Sequence, residues 1–144
     1  MKVKTLSGIG LLLAGAAFAV QLEHPALRKG TETAGHPILG GKGTAKIFFD
    51  AQAGSTKAAL DELQLEAGAV VPKHQHDGSD ELLYVVSGAV DMTLYAADPV
   101  SLHAEAGDAI RIPAGTPHEA KASVSTRLVQ VYAPPGPEQR FLAH

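Results

Sequence analysis

The chain has 144 residues, of which 12 are Lys or Arg and 15 are Asp or Glu, so its net charge is −3 and its pI is near 6.1. This slightly acidic balance, without any block of basic residues, excludes nucleic acid as a predicted partner. The chain has no cysteine, which excludes a disulfide framework and a lipoprotein attachment site.

The first 19 residues have the pattern of a secretory signal. Lys2 and Lys4 precede an apolar run, and Ala17-Phe18-Ala19 fits the small-x-small rule of a signal-peptidase site. The run is too short for a comfortable membrane span, and an N-terminal anchor or a buried core helix is the alternative. We expect residues 1–19 to be removed and the mature protein to be periplasmic or secreted by a bacterium. No membrane partner is expected after cleavage.

Residues 20–44 are rich in glycine, threonine and polar groups, including Gly35-His36-Pro37 and Gly40-Gly41-Lys42-Gly43. Such clusters of glycine and proline are typical of loops. The segment is predicted to be an N-terminal arm with little structure of its own, which crosses the following domain or reaches a neighbouring subunit. Residues 45–144 are predicted to form one domain, which is long enough to have its own core.

From residue 45 onward, short apolar runs alternate with Gly and Pro turns, which predicts a series of strands and a sandwich or barrel. The predicted strands are residues 45–50, 57–66, 81–86, 89–95, 101–104, 109–112, 118–122 and 126–132. Residues 57–66 favour helix by propensity, but the alternation of Leu63 and Leu65 before a glycine favours a strand, which we predict. Ser87-Gly88 is predicted to be the turn of a β-hairpin.

Two segments hold residues at metal-ligand spacing. His74 and His76 are two apart, so both imidazoles would leave the same face of an extended strand. Glu81 follows a run of turn formers that would fold the chain back beside them, and His118 ends a second strand-turn unit. A single histidine is more often a surface or hydrogen-bonded residue, but three imidazoles and one carboxylate together suit a divalent transition metal.

These two segments resemble the two signature motifs of the cupin superfamily. The first motif is a glycine, five residues, His-x-His, four residues, a glutamate, six residues and a glycine. Its fixed positions are all filled, by Gly68, His74, His76, Glu81 and Gly88.

The second motif holds from Gly107 through Pro113-Ala114-Gly115 to His118, but it ends at Ala122 where the family pattern has asparagine. The resemblance covers roughly residues 57 to 134 and supports the strand prediction for residues 57–66. It implies an all-β fold, the cupin double-stranded β-helix or jelly-roll barrel. It also implies a metal ion held by His74, His76, Glu81 and His118, and a homodimer that pairs through sheet edges and N-terminal arms.

The ligand strands predict an apolar environment for the metal. On a period of two, Glu81 shares its face with Leu83 and Val85, while His118 shares its face with Ala120 and Ala122. Ionised ligands in such surroundings are costly unless a cation neutralises them. Alanine at position 122 is expected to widen the pocket or to leave a bound water without a partner.

Two function classes follow from the four residues. The first is an exported metal-dependent enzyme of oxygenase, isomerase or lyase type that acts on a small organic substrate. The second is a non-catalytic module that binds a small ligand or stores metal. Zn or Cu is favoured if the ion is acquired outside the cytoplasm, whereas Mn, Fe or Ni would also fit the ligands.

The other polar residues have plainer interpretations. Asp77 and Asp80 are expected to be solvated turn residues, and His103 is expected to be a surface strand residue. The three tyrosines are expected to be core residues whose hydroxyls reach water. They are Tyr84, Tyr95 and Tyr132.

Overall fold

A computed structural model of the chain describes residues 26–143, so the predicted signal, residues 1–19, lies outside the described residues. Within that range the chain forms ten strands, two short 3₁₀ helices and no α-helix. The strands are β1 (His36–Ile38), β2 (Gly43–Phe49), β3 (Ala59–Leu65), β4 (Val70–His74), β5 (Asp80–Ser87), β6 (Ala89–Leu94), β7 (Val100–Glu105), β8 (Ala109–Ile112), β9 (His118–Ala122) and β10 (Thr126–Ala133). The 3₁₀ helices are Leu39–Gly41 and Pro137–Phe141.

The strands form two antiparallel sheets. One has six strands in the order β1-β2-β3-β10-β5-β8, and the other has four strands in the order β4-β9-β6-β7. This arrangement confirms the predicted all-β jelly-roll barrel. The strand predicted for residues 57–66 is also confirmed, because β3 alternates between buried and less buried residues and pairs with both β2 and β10.

The core lies between the two sheets and is built from their inward-facing residues. Aliphatic side chains dominate it, as expected for a chain with few aromatic residues. The six-stranded sheet contributes Leu63, Leu65, Leu83, Val85 and Leu128, and the four-stranded sheet contributes Val90, Met92, Ala104, Ala120 and Ala122. The two sheets therefore enclose an apolar interior, and any polar side chain on an inward position needs its own partner.

The predicted hairpin at Ser87-Gly88 is wrong. β5 pairs with β10 and β8, whereas β6 pairs with β7 and β9, so the dipeptide joins the two sheets. Gly88 has φ +81°, and a Cβ there would lie 2.6 Å from Thr126 Oγ1. The glycine is needed because the chain passes close to β10 as it changes sheets, not because the flanking strands pair.

The described part of the predicted arm packs on the barrel of its own chain. β1 pairs with β2, and the 3₁₀ helix after β1 leads directly into β2. Ile38 and Leu39 pack against the core. Part of the arm is therefore an edge strand of the larger sheet. Within residues 26–143, no helix has the length and apolar character needed to cross a membrane.

Candidate metal centre

The four predicted ligands come from both sheets and meet at one end of the barrel. His74 is the last residue of β4, and His118, the first residue of β9, is its cross-strand partner. Glu81 lies near the start of β5 in the opposite sheet. His76 is buried in the loop after β4, so the strand ends before it, but its ring still lies 4.8 Å from that of His74.

One ligand atom from each of these residues lies within 4.8 Å of the others, which is the arrangement a metal ion requires. Three of the atoms, His74 Nε2, His118 Nε2 and Glu81 Oε2, are buried and form no hydrogen bond of good geometry among the described residues, although His118 Nε2 lies 3.2 Å from Glu81 Oε2. Unsatisfied buried polar atoms are costly, and a shared cation would satisfy all three together. The donor set therefore fits a divalent transition metal, with nitrogen and oxygen ligands and no soft sulfur.

Backbone carbonyls orient two of the imidazoles. The Nδ1 atoms of His74 and His118 donate to the carbonyl oxygens of Pro72 and Thr116, over 2.8 Å and 2.9 Å. Each ring therefore carries its proton on Nδ1, which leaves Nε2 with a lone pair directed into the cluster. Such an outer hydrogen bond is the usual way that proteins fix the tautomer of a metal-binding histidine.

The protonation states of the cluster also suit a metal. Burial works to raise the pKa of Glu81, but contacts with His118 and His76 and a hydrogen bond from Gln130 outweigh it, so that pKa lies below its usual range. Burial lowers the pKa of His74 to about 4, so this imidazole is neutral. Burial also works to lower the pKa of His118, but Glu81 and the Thr116 carbonyl raise it above its usual value. A divalent ion at the cluster would balance the charge of Glu81.

Asp80 fixes the loop that leads to Glu81. One of its carboxylate oxygens accepts from the backbone N–H of Ala114 at 2.9 Å, and the other accepts from Arg111 at 2.7 Å. The N–H of Gly115 donates to the carbonyl of His76 at 2.7 Å. Asp80 is therefore more than the solvated turn residue that we expected, because it ties the ligand loop to the turn before His118. Asp77 is exposed and accepts from Gln75, in agreement with the expectation.

Two residues that the sequence did not indicate lie beside the ligands. Gln130 is buried on β10, and its amide donates to Glu81 Oε1. Arg140, from the last 3₁₀ helix, donates to His76 Nε2 at 3.1 Å and to the Tyr132 hydroxyl at 2.8 Å. Gln130 could have been found, because it occupies an inward position between two apolar residues of β10. Arg140 follows a proline-rich segment without periodicity and gives no such signal.

A third unpredicted residue, Asp61, is fully buried on β3. Neither of its carboxylate oxygens has a hydrogen-bond partner among the described residues. Burial, together with the nearby carboxylates of Glu138 and Asp50, raises the pKa of Asp61 to about 8. This side chain is therefore protonated at neutral pH, and it adds no negative charge to the barrel interior.

The cluster opens into a cavity of about 970 Å³. This volume is at the upper end of the range for small-molecule sites. Pro37, Leu39 and Gly41 of the arm border it on one side, and Pro137 and Arg140 border it on another. Its apolar walls include Leu63, Leu65, Val90, Met92 and Leu128.

The other sequence expectations have mixed outcomes. His103 is exposed and contacts Asp91 at 2.6 Å, which confirms it as a surface residue. Tyr132 is a core residue, but Tyr84 is 48% exposed, so that expectation was wrong for Tyr84. Ala122 is fully buried and does not border the cavity, so alanine at this position does not widen it.

Comparison with known proteins supports the cupin assignment. The family model described as "Cupin domain" matches residues 62–132, which include all four clustered residues and Ala122. His74, His76, Glu81 and His118 all lie in this range. A search of curated proteins found no match.

Several solved structures have the same fold. KdgF from Halomonas sp. is 22% identical, with a TM-score of 0.67 over 77% of this chain and 96% of that one. An RmlC-like cupin from Shewanella frigidimarina is 20% identical, with a TM-score of 0.68 over 82% of this chain and 98% of that one. A variant of oxalate decarboxylase from Bacillus subtilis is 20% identical, with a TM-score of 0.66, and the match covers 73% of this chain but only 28% of that enzyme. Residues 62–132 therefore match the cupin domain, and the chain has the fold of these structures.

The raised pKa of Asp61 predicts a pH-dependent stability. From its ordinary value of 3.8 up to about 8, the folded chain holds a proton that the unfolded chain has released. The free energy of unfolding therefore falls as pH rises through this window, by up to about 1.4 kcal/mol per pH unit. In Asp61→Asn the side chain stays neutral at every pH. We therefore expect the variant to be more stable than the parent chain at pH 8. This gain in the free energy of unfolding should be larger at pH 8 than at pH 5.

Urea unfolding of the metal-free proteins at both pH values measures this difference. Glu66→Gln, which removes an exposed carboxyl, is the control and should give the same small effect at both values. An Asp61→Asn variant whose stability relative to the parent did not change with pH would show that Asp61 is ionised in the fold.

Proposed function

We propose that the chain binds one divalent transition metal through His74, His76, Glu81 and His118 and uses it on a small organic substrate. The observation that supports this most strongly is the set of three buried ligand atoms that form no hydrogen bond and belong to residues bordering a cavity of about 970 Å³. A bound divalent ion would supply Lewis-acid polarisation of substrate oxygens or activation of O₂. An oxygenase, isomerase or lyase would use such chemistry. Oxalate decarboxylase, one of the structural neighbours, has Mn(II) centres.

In this proposal the residues of the chain have separate tasks. Glu81 balances positive charge inside the barrel, and Gln130 holds its other carboxylate oxygen in place. The apolar walls keep water away from the reacting end of the substrate, which strengthens every electrostatic interaction there. Arg140 presents N–H donors at the same end of the cavity as His76.

The lining of the cavity also supports a second candidate, a non-catalytic module that binds a small ligand. Apart from the four clustered residues, Lys73 and Arg140 are the only ionisable side chains among the described residues that border the cavity. Arg140 is not an evident general base, because an arginine side chain does not lose its proton in proteins. The Nζ atom of Lys73 lies over the Tyr95 ring, 3.7 Å from its centre, so Lys73 is not an evident general base either. An enzyme at this site would therefore depend on the ion or on its bound water for proton transfer.

The proposal predicts that replacing two histidines abolishes metal binding. In His74→Ala/His76→Ala, half of the ligands are lost and Glu81 keeps fewer partners for its buried charge. We expect about one ion per parent chain by elemental analysis, and none in the variant. Zn²⁺ at about a hundredfold excess over its Kd should stabilise the parent chain by about 2.7 kcal/mol and should leave the variant unchanged.

His103→Ala is the matched control, because it removes an exposed imidazole away from the cavity. Its metal content should equal that of the parent chain. Stoichiometric metal in the double variant would contradict the ligand assignment. If the ligand variants lost metal but no substrate was turned over by the loaded parent protein, the binding module would be favoured over the enzyme.

We also propose that the protein is exported and acquires its metal outside the cytoplasm. Lys2 and Lys4 form the basic start of the leader, and no Arg-Arg pair is present, which favours export of the unfolded chain. A chain that folds outside meets metals without the control that the cytoplasm exerts. Affinity for nitrogen and oxygen ligands rises from Mn and Fe toward Cu, with Zn below Cu, so Zn or Cu is the expected native ion.

Protein purified from the periplasm tests both parts of this proposal. We expect an intact mass that begins at Val20 and an elemental analysis dominated by Zn or Cu. The same chain expressed in the cytoplasm without residues 1–19 is the control, and it should contain Mn, Fe or Ni when these are supplied. A periplasmic mass that still included residues 1–19 would contradict the leader, and a predominance of Mn or Fe there would contradict the metal assignment.

The expected homodimer would pair through sheet edges and N-terminal arms, but the described part of the arm packs on its own barrel, and we propose instead a homodimer that forms through the outer face of the six-stranded sheet. On this face Leu82 is 42% exposed and Tyr84 is 48% exposed, and they lie in register with Val131 and Val129 of β10. Adjacent exposed apolar side chains of this size are typical of contact surfaces. A dimer would remove them from water.

Light scattering of the parent protein should give twice the mass of one chain. In Leu82→Ser/Tyr84→Ser the measured mass should fall to that of one chain. Val100→Ser is the control, because Val100 is 46% exposed but lies on β7 of the other sheet. A parent protein that remained a monomer at high concentration would refute the dimer. A dimer that was unchanged in the double variant would refute this interface.

A further inference from the structure

The cavity has a polar end and an apolar body. The clustered histidines and Glu81 lie at one end, together with Gln130 and Arg140. Each of the strands that carry Glu81, His118 and Gln130 has an aliphatic residue on its inward face, two positions from the polar residue. These aliphatic residues also border the cavity. They are Leu83, Ala120 and Leu128.

The polar groups of the lining are few. Among the described residues that border the cavity there is no serine, threonine, tyrosine, asparagine or aspartate, and the only carboxamides are those of Gln75 and Gln130. A sugar or another polyhydroxylated ligand would lose hydrogen bonds to water on entering and would regain few of them. Each unpaired hydroxyl buried in this way opposes binding.

The charges of the lining favour an anion. Lys73 and Arg140 are cationic, and Glu81 is the single carboxylate among the lining residues that are described. Any divalent ion at the cluster would add further positive charge at the polar end. A ligand with one negative charge would therefore be attracted to this end, and a cationic ligand would be repelled.

Arg140 is positioned to bind a carboxylate beside the ion. Its Nη2 donates to Tyr132 at 2.8 Å, and its guanidinium carbon lies 4.8 Å from the centre of the Phe141 ring, so the planar group is held from two sides. Its Nη1 donates to His76 Nε2 at 3.1 Å. A metal ion that takes this lone pair would break the hydrogen bond, and Nη1 would then be free to donate to a ligand. A guanidinium with free N–H groups is well suited to a carboxylate.

We propose that the ligand of this site is an apolar monocarboxylate of medium length. Its carboxylate would lie at the ion and Arg140, and its hydrocarbon body would lie along the aliphatic walls. This inference rests on the proposed metal site. It names a substrate class that differs from sugars and from small dicarboxylates, because the body of the cavity offers apolar surface and almost no hydrogen-bonding groups.

Calorimetric titration of the zinc-loaded full chain tests the inference with a series of probes. From butanoate through hexanoate to octanoate, the affinity should rise about fourfold per methylene group, as expected for transfer of a methylene from water to an apolar wall. Octanoate should bind more tightly than galacturonate, which has the same charge but several hydroxyl groups. Galacturonate binding as tightly as octanoate, or an affinity independent of chain length, would overturn the proposal.

Arg140→Gln should weaken octanoate binding by about tenfold, the loss expected when one charge-assisted hydrogen bond is removed. Its affinity for 1-octanol should equal that of the parent chain, because this probe has the same body without the charge. Lys121→Gln is the matched control for loss of one cation, since Lys121 is exposed and does not border the cavity, and it should leave octanoate binding unchanged. Equal weakening in both variants would show that general charge, and not Arg140, attracts the anion.

The zinc content of the titrated sample separates this inference from the proposed metal site. A chain that contains about one zinc ion but fails to bind octanoate would leave the metal site intact and refute the ligand class. A chain that binds no zinc would refute the metal site, and the ligand proposal that depends on it would fall with it.

Discussion

The buried carboxylate of Glu81 is the constraint on which the interior of this protein depends. It is 3% exposed and lies between two sheets whose inward residues are otherwise mostly aliphatic. An unpaired charge in such a place destabilises a fold by about 3–5 kcal/mol. His76 and His118 approach it to 3.2 Å, and Gln130 donates to it, so its partners come from the loop after β4, from β9 and from β10. Stabilising this one charge therefore fixes the relative position of both sheets.

The alternation of side chains made much of this fold predictable. In β3, Leu63 and Leu65 indicated a strand against the helical propensity of the segment, and the pairing of β3 with two neighbours explains why tertiary context prevails over propensity there. The convergence of His74, His76, Glu81 and His118 was also predictable, because the spacing of the first three residues suits a common site and the resemblance to the two cupin motifs adds His118 to them.

Other features depend on contacts between distant segments, which no local pattern encodes. Ser87-Gly88 has the composition of a hairpin turn, yet the chain changes sheets there, because both neighbours of β5 and both neighbours of β6 are other strands. Arg140 reaches His76 across 64 residues of sequence. The strand that holds Asp61 was predicted correctly, but the protonation of its buried side chain was not. A period of two shows which face a residue occupies, but it does not show whether the residue is ionised there.

The rim of the cavity affects the rate at which a bound molecule would leave rather than the affinity with which it would bind. It is made largely from two segments, residues 37–41 and residues 136–143, while the walls belong to the paired sheets. β1 is three residues long and pairs only with β2, so the first segment can separate while the pairs between the longer strands stay intact. A bound molecule would therefore have its residence time set by opening of these two segments. Its affinity would be set by the barrel, and the two quantities could change independently.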